Sequence, residues 1–222
     1  MLALSLACCL ALVACGGGGS DGGETQSAPV ADLPRGCRSV PAPAPRKEGE
    51  AERPSPERLE GAASVELQTN CGTIVIRLAT GRAPRTTASF AALARNGFYD
   101  GLSFHRVSGD PTSGPFVIQG GDPLGSGQGG PGYSVRERPP SDLTYVRGVV
   151  AMAKSEAEAS GTSGSQFFIV TAPDAGLPPD YALVGSVSDG LEVVDAIATV
   201  KTDGAEKPLA PIVIQRAIVQ EG

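Results

Sequence analysis

At 222 residues, 41% of them hydrophobic, the chain has room for one domain with a substantial core or two small ones. Its net charge is −6 with no block of Lys or Arg, which argues against a nucleic-acid surface, because such surfaces need clustered cations to displace counterions. A single histidine and the lack of a zinc-type Cys-x-x-Cys pair exclude multi-histidine and zinc-ribbon metal sites, and no metal or organic cofactor is expected.

Residues 1–14 are almost purely apolar, too short to span a bilayer comfortably and suited to the hydrophobic part of a signal peptide. No Lys or Arg precedes the run, a departure from the usual basic start of such leaders. It ends at Leu12-Val13-Ala14-Cys15, which resembles the lipobox of bacterial lipoproteins. That resemblance implies cleavage before Cys15, lipid on Cys15, and an extracytoplasmic protein anchored to a bacterial membrane. The alternative is an ordinary secretory signal or a simple N-terminal anchor. From Gly16 to about Gly61 the composition is that of a tether: a glycine run, then Pro41-Ala42-Pro43-Ala44-Pro45, then a mixed-charge stretch from Arg46 to Glu60. Such a segment buries too little surface to offset its ordering entropy, so residues 15–62 read as a lipidated cysteine and a disordered linker. About 45 residues of coil reach roughly 35–40 Å, enough to hold a domain clear of a membrane.

Cys37 and Cys71 are the only cysteines beyond Cys15. In an oxidising compartment they permit one bridge, which would pin the late linker to the first hairpin of the domain. The loop closed is about 33 residues, worth about 3–4 kcal/mol on the chain-entropy model. The alternative is two free thiols, with Cys71 simply a turn residue.

The domain proper spans residues 63–222. Ser64–Thr69 and Thr73–Ala79 read as a hairpin joined by a three-residue turn, Asn70-Cys71-Gly72, and Ile74, Ile76 and Leu78 alternate as the inward face. A helix follows, with Pro84 in its first turn, Phe90, Leu93, Ala94 and Gly97 on one face, and Gly97 at its end. Leu102–Val107 is the next strand, and Val146–Lys154, Gln166–Thr171 and Tyr181–Val187 give further strand signals. Leu191–Ala198 is a second helix, and Pro211–Gln220 a last strand with Ile212, Ile214 and Ile218 on one side. Many short strands with only two helices suggest a closed barrel rather than alternating β-α units.

Two motifs invite other readings. Gly125-Ser126-Gly127-Gln128-Gly129-Gly130 matches Gly-x-Gly-x-x-Gly, but Pro123 and Pro131 flank it where a dinucleotide site needs a strand and a helix. Gly161-Thr162-Ser163-Gly164-Ser165 approaches a nucleophile elbow but lacks its last glycine, and a serine hydrolase here would have His105 as its only histidine base.

Three segments remain: Phe104-His105-Arg106-Val107, Phe116-Val117-Ile118-Gln119-Gly120-Gly121-Asp122, and Gly164-Ser165-Gln166-Phe167-Phe168-Ile169-Val170. In this order they resemble the cyclophilin-type peptidyl-prolyl isomerases, and the resemblance covers roughly residues 63–220. It implies a mainly β fold, a closed eight-stranded antiparallel barrel capped by two α-helices, acting as a monomer on proline-containing polypeptides. The chemistry needs no covalent step: a permanently protonated donor near the prolyl nitrogen favours the twisted amide, and arginine suits that role. The resemblance gives the role to Arg106, held by Gln119, with Phe116, Val117 and Phe168 as an apolar cup for the proline ring. The backbone at Ala153 and Lys154 would pair with the extended substrate, Gln166 would add a polar contact, and Leu177 and Tyr181 would complete the rim. His105 would neighbour the pocket without acid–base duty. The alternative is the same barrel as a non-catalytic module that binds proline peptides.

The sequence departs from the commonest family members in several places. The connection from Val107 to Phe116 is about five residues longer, which places a loop, Ser108–Pro115, close to the site. Val117 stands where Met is common. Lys154 replaces Asn, a charge that would favour acidic flanking residues. Tyr181 replaces His. Gly176 stands where tight cyclosporin binders carry Trp, which implies weak inhibition by that drug.

Overall fold

In the computed structural model, residues 33–46, 59, 61–110, 112 and 114–222 are described. The expected leader 1–14 and Cys15 lie outside them. The described elements run β1 (Ala63–Thr69), β2 (Gly72–Leu78), α1 (Pro84–Arg95), β3 (Leu102–Asp110), β4 (Gly114–Gly120), β5 (Val135–Arg136), β6 (Val149–Met152), β7 (Thr162–Ser163), β8 (Phe167–Val170), β9 (Leu183–Asp189), α2 (Leu191–Ala198) and β10 (Val213–Glu221). Eight strands close an antiparallel barrel in the order β1-β10-β3-β4-β8-β6-β9-β2, while β5 and β7 pair as a separate ribbon. Helix α1 packs against β9 and β10, and α2 against β2, β3 and β4.

The first hairpin closes with two residues, not three, because Thr69 pairs directly with Gly72. Thr69 Oγ1 accepts the Cys71 N–H and donates to the Gly72 carbonyl, so its side chain does the work of a third loop residue. Ile74, Ile76 and Leu78 are buried, as their alternation predicts. In β10 the periodicity breaks. Thr69 pairs with Ile214 but Gln68 with Arg216, so Gln215 is a bulge. Parity therefore flips: Ile212 and Ile214 face the core, but Ala217 is buried there in place of the expected Ile218.

Helix α1 has Pro84 in its first turn but no side-chain cap of its own at Ala83. The Glu137 carboxylate, beyond β5, accepts the Arg85 and Thr86 N–H groups at 3.0 and 2.8 Å and caps the helix from a distance. At the other end Phe98 N–H bonds to the Leu93 carbonyl across Gly97, whose φ of +67° only glycine adopts cheaply. Inside the barrel Phe167 is the hub of an aromatic cluster, edge-on to Phe90, Tyr99 and Phe104 at 5.4 to 5.9 Å. Its neighbour Phe168 points the other way, into a second apolar cluster on the outer face with Val117, Tyr145, Ala151, Val170 and Ala172.

The composition of residues 15–62 predicts a free coil; residues 33–46 form no helix or strand, but they lie along the barrel. Cys37 is bonded to Cys71 with an S–S distance of 2.03 Å. Arg38 exchanges hydrogen bonds with Asn70, whose buried side chain also bonds to the backbone of Pro211 and Val213. Leu33 and Cys37 pack on the core, and Arg46 bonds to the carbonyls of Pro123 and Phe98. Polar composition says nothing of these contacts, because the barrel supplies the partners and the disulfide has already restricted the chain.

Candidate active site

A single irregularity aims the first site residue. The β3–β4 register shifts between Phe104 and Arg106, leaving His105 as a bulge. Leu102, Phe104 and Val107 thereby pack in the core, while Arg106 and Ser108 lie on the outer side with Gln119 and Glu206. Without the bulge Phe104 and Arg106, two residues apart, would share a face. On the outer face the cross-strand register lines up Arg106 with Gln119, Gln119 with Phe168, and Phe168 with Ala151. This row spans β3, β4, β8 and β6 and is polar at one end, apolar at the other.

The polar end is a chain of hydrogen bonds. Arg106 Nη1 donates to Gln119 Oε1 at 3.2 Å, Gln119 Nε2 donates to Gln166 Oε1 at 3.0 Å, and Gln166 Nε2 donates to the carbonyls of Gly127 and Gly129. On its other side Arg106 Nε donates to Glu206 at 2.6 Å and Nη2 to Ser108 Oγ at 3.1 Å. Burial pushes the Glu206 carboxyl up, but hydrogen bonds from Ser108 and Arg106 outweigh it and hold the group below its ordinary value. The apolar end gathers Phe116, Val117, Phe168, Leu177 and Tyr181 in one cluster, with Phe168 edge-on to Tyr181 at 5.4 Å. Tyr145 fixes the rim: its hydroxyl donates to the Tyr181 carbonyl and accepts the Tyr181 N–H, and burial pushes its phenol up to about 12.

Beside the row opens a groove of 480 Å³ lined by Gln119, Gln166, Ala153, Lys154 and the glycine-rich 127–130 stretch. That stretch is a wall, anchored by the Asp122 carboxylate, which accepts the N–H groups of Leu124, Ser126 and Gly127. No helix follows it, so the dinucleotide motif is a loop. Gly121 is required at its place: its φ is +86°, and a Cβ would lie 2.4 Å from the Ser165 carbonyl oxygen. Ser163 and Ser165 are each 1% exposed, and Ser165 Oγ donates to the Gly121 carbonyl, so neither serine is open to a substrate. Among the described residues no group of three or more His, Cys, Asp or Glu could hold a metal ion.

Three expectations change. Ala153 N–H is bonded to the Gln166 carbonyl, which removes that donor from any peptide pairing. Lys154 is not a free charge: its Nζ pairs with Asp180 at 2.7 Å and sits 5.5 Å from the Tyr181 ring centroid. The hydrogen bond between them holds Lys154 above and Asp180 below their ordinary values. The segment Ser108–Pro115 is not simply a loop, because pairing of Ser108 with Val117, Gly109 with Pro115 and Asp110 with Gly114 extends the β3–β4 hairpin into it. His105 is 8% exposed, with both ring nitrogens buried and unpartnered. Sequence reasoning misses Glu206, Ser108, Tyr145 and Asp180. Glu206 lies 100 residues from Arg106, in a turn-rich stretch with no motif to single it out.

Residues 64–219 match the family model described as cyclophilin type peptidyl-prolyl cis-trans isomerase/CLD. The chain is 41% identical over 160 residues to the peptidyl-prolyl cis-trans isomerase ppi1 of Schizosaccharomyces pombe, covering 70% of this chain and 98% of that protein. It is 37% identical over 158 residues to the human peptidyl-prolyl cis-trans isomerase-like 1, covering 69% and 90%. Among solved structures, a Cryptosporidium parvum cyclophilin type isomerase matches with a TM-score of 0.65 and 30% identity, over 72% of this chain and 99% of that one. The barrel order, the three motif strands and these relatives agree: the chain belongs to the cyclophilin-type peptidyl-prolyl cis-trans isomerases and is a peptidylprolyl isomerase.

Proposed function

We propose that Arg106 accelerates rotation about Xaa-Pro bonds by donating to the prolyl nitrogen as the amide twists. The uncatalysed barrier is about 18–20 kcal/mol because rotation breaks amide resonance. The twisted amide returns a lone pair to nitrogen, and a donor that meets it only there lowers the barrier. One such preorganised donor is worth about 3–4 kcal/mol, or roughly 10²- to 10³-fold. The observation that carries this reading is the row Arg106–Gln119–Phe168 on adjacent strands: a guanidinium held by an amide, next to an apolar floor. Phe116, Val117 and Phe168 form the cup, Gln119 positions Arg106 and touches the peptide, and Gln166 holds Gln119. The Ala153 carbonyl and the Lys154 backbone face the extended peptide, Leu177 and Tyr181 close the rim, and His105 stands behind it. That a Cryptosporidium parvum relative was crystallised in the presence of the dipeptide Ala-Pro supports an Xaa-Pro unit as ligand.

The substrates we propose are proline-containing segments of exported or unfolded proteins, met at a bacterial membrane by a monomer tethered through lipid on Cys15. The Leu12-Val13-Ala14-Cys15 sequence supports the anchor, with the glycine run after it as spacer. Two measurements test the reading. In the full chain, Phe168→Ala raises KM for an Xaa-Pro peptide roughly tenfold or more, the loss of at least about 1.4 kcal/mol of ring contact; an unchanged KM contradicts the cup. In bacteria fed labelled palmitate, the wild-type protein carries label and Cys15→Ala does not; a wild type without label contradicts the anchor.

A further inference from the structure

A guanidinium offers five N–H donors in a rigid plane. Three of those of Arg106 are engaged, one on each nitrogen: Nε on Glu206, Nη2 on Ser108 and Nη1 on Gln119. Ser108 Oγ in turn donates to the second Glu206 oxygen at 2.5 Å, so the carboxylate grips Arg106 both directly and through the serine. One hydrogen bond to Gln119 fixes a point on the guanidinium; bonds at all three nitrogens fix its plane.

Glu206 is itself held unusually firmly. It is the only non-glycine residue with positive φ among the described residues, at +62°. Asp203 organises the turn around it, accepting the N–H groups of Ala205 and Lys207 on its carboxylate and that of Glu206 on its carbonyl. The Glu206 carbonyl then accepts the Val107 N–H at 2.8 Å, which fastens the turn to β3 beside Arg106. A side chain in this backbone region persists only where its surroundings over-determine it.

We propose that Glu206 is the positioning residue of this isomerase, setting the plane of the Arg106 guanidinium through Nε and Ser108 so that its two remaining N–H groups are presented to the prolyl nitrogen. The proposal rests on Arg106 as the donor. A carboxylate also offsets part of the positive charge that the twisted amide needs. The Glu206 side chain is 40% exposed, so water screens that opposing effect, while the geometric constraint is undiminished.

The test uses the full chain and a proline peptide. Glu206→Ala and Glu206→Gly lower kcat roughly tenfold with KM unchanged, as expected for a donor misaimed rather than removed. Glu206→Gln keeps an acceptor for Nε and retains kcat within about threefold on the same logic. Glycine relaxes the positive φ, so Glu206→Gly loses activity without a fall in Tm, which a merely structural role would not do. In ¹⁵N NMR the Arg106 Nε–H exchanges slowly in the wild type and in Glu206→Gln, and rapidly in Glu206→Ala. Wild-type kcat in Glu206→Gly, or a loss that tracks a lowered Tm, overturns the proposal while Arg106→Ala remains inactive. If Arg106→Ala keeps wild-type kcat, it is the Arg106 reading that fails, and the role of Glu206 with it.

Discussion

His105 shows how one residue serves the site without touching its chemistry. As the bulge of β3 it reverses the parity of the strand, sending Phe104 inward and Arg106 outward. Its ring is left buried with neither nitrogen bonded. Burial lowers its pKa below the ordinary 6.5, with the nearby Asp122 charge opposing. Between the folded value and 6.5 the unfolded chain binds the extra proton, so stability is full above that window and declines as pH falls through it. Urea midpoints are therefore expected to drop from pH 7.5 to pH 5.5 in the wild type, and to drop less in His105→Gln; an equal drop in both contradicts the assignment. The motif residues Arg106, Gln119 and Phe168 are legible in the sequence because the family resemblance points to them. Glu206 and Tyr145 are not, since each acts on a residue distant in sequence through a single side chain. The charge of Lys154 is legible but its Asp180 partner is not, so the expected preference for acidic peptides does not follow from the free lysine that the sequence suggests.

At the scale of elements, the helices are the most readable parts. The 3.6-residue pattern and the glycine at the end of α1 announce it, and α2 spans the very residues its apolar face predicts. Strand faces are readable until a bulge intervenes, because an inserted residue leaves no mark in the alternation itself; Ile218 gives way to Ala217 in β10 for that reason. The ribbon of β5 and β7 is too short for any periodicity, yet it matters, because the chain leaving β5 carries Glu137 to the start of α1. Replacing that carboxylate strands two N–H groups of the first turn. Glu137→Ala is expected to cost about 1 kcal/mol, the usual worth of an N-cap, read as a lowered urea midpoint at unchanged m. No change would mean that water caps the helix equally well.

For the molecule as a whole, the barrel is legible because three motif strands come in a fixed order, while of the polypeptide path before it only the Cys37–Cys71 link to the first hairpin is. Residues 33–46 are held by that bridge and also by Asn70 and the two carbonyls that Arg46 reaches, partners that only the folded barrel brings together. The bridge links residues 34 apart, and Cys37→Ser is expected to lower stability by about 2–4 kcal/mol in denaturant titrations under oxidising conditions, with reductant erasing the difference from the wild type. A difference that persists under reductant would place the effect elsewhere. One side chain in this frame, Arg106, carries the proposed catalysis. The most direct measurement is cis-to-trans exchange of an Xaa-Pro peptide by NMR, with the wild-type chain and with Arg106→Ala at equal concentration. Fast exchange with the wild type, slowed by roughly 10²-fold or more in the variant while peptide binding persists, is the predicted result. Equal exchange rates with the two proteins would contradict the role of Arg106 as donor to the prolyl nitrogen.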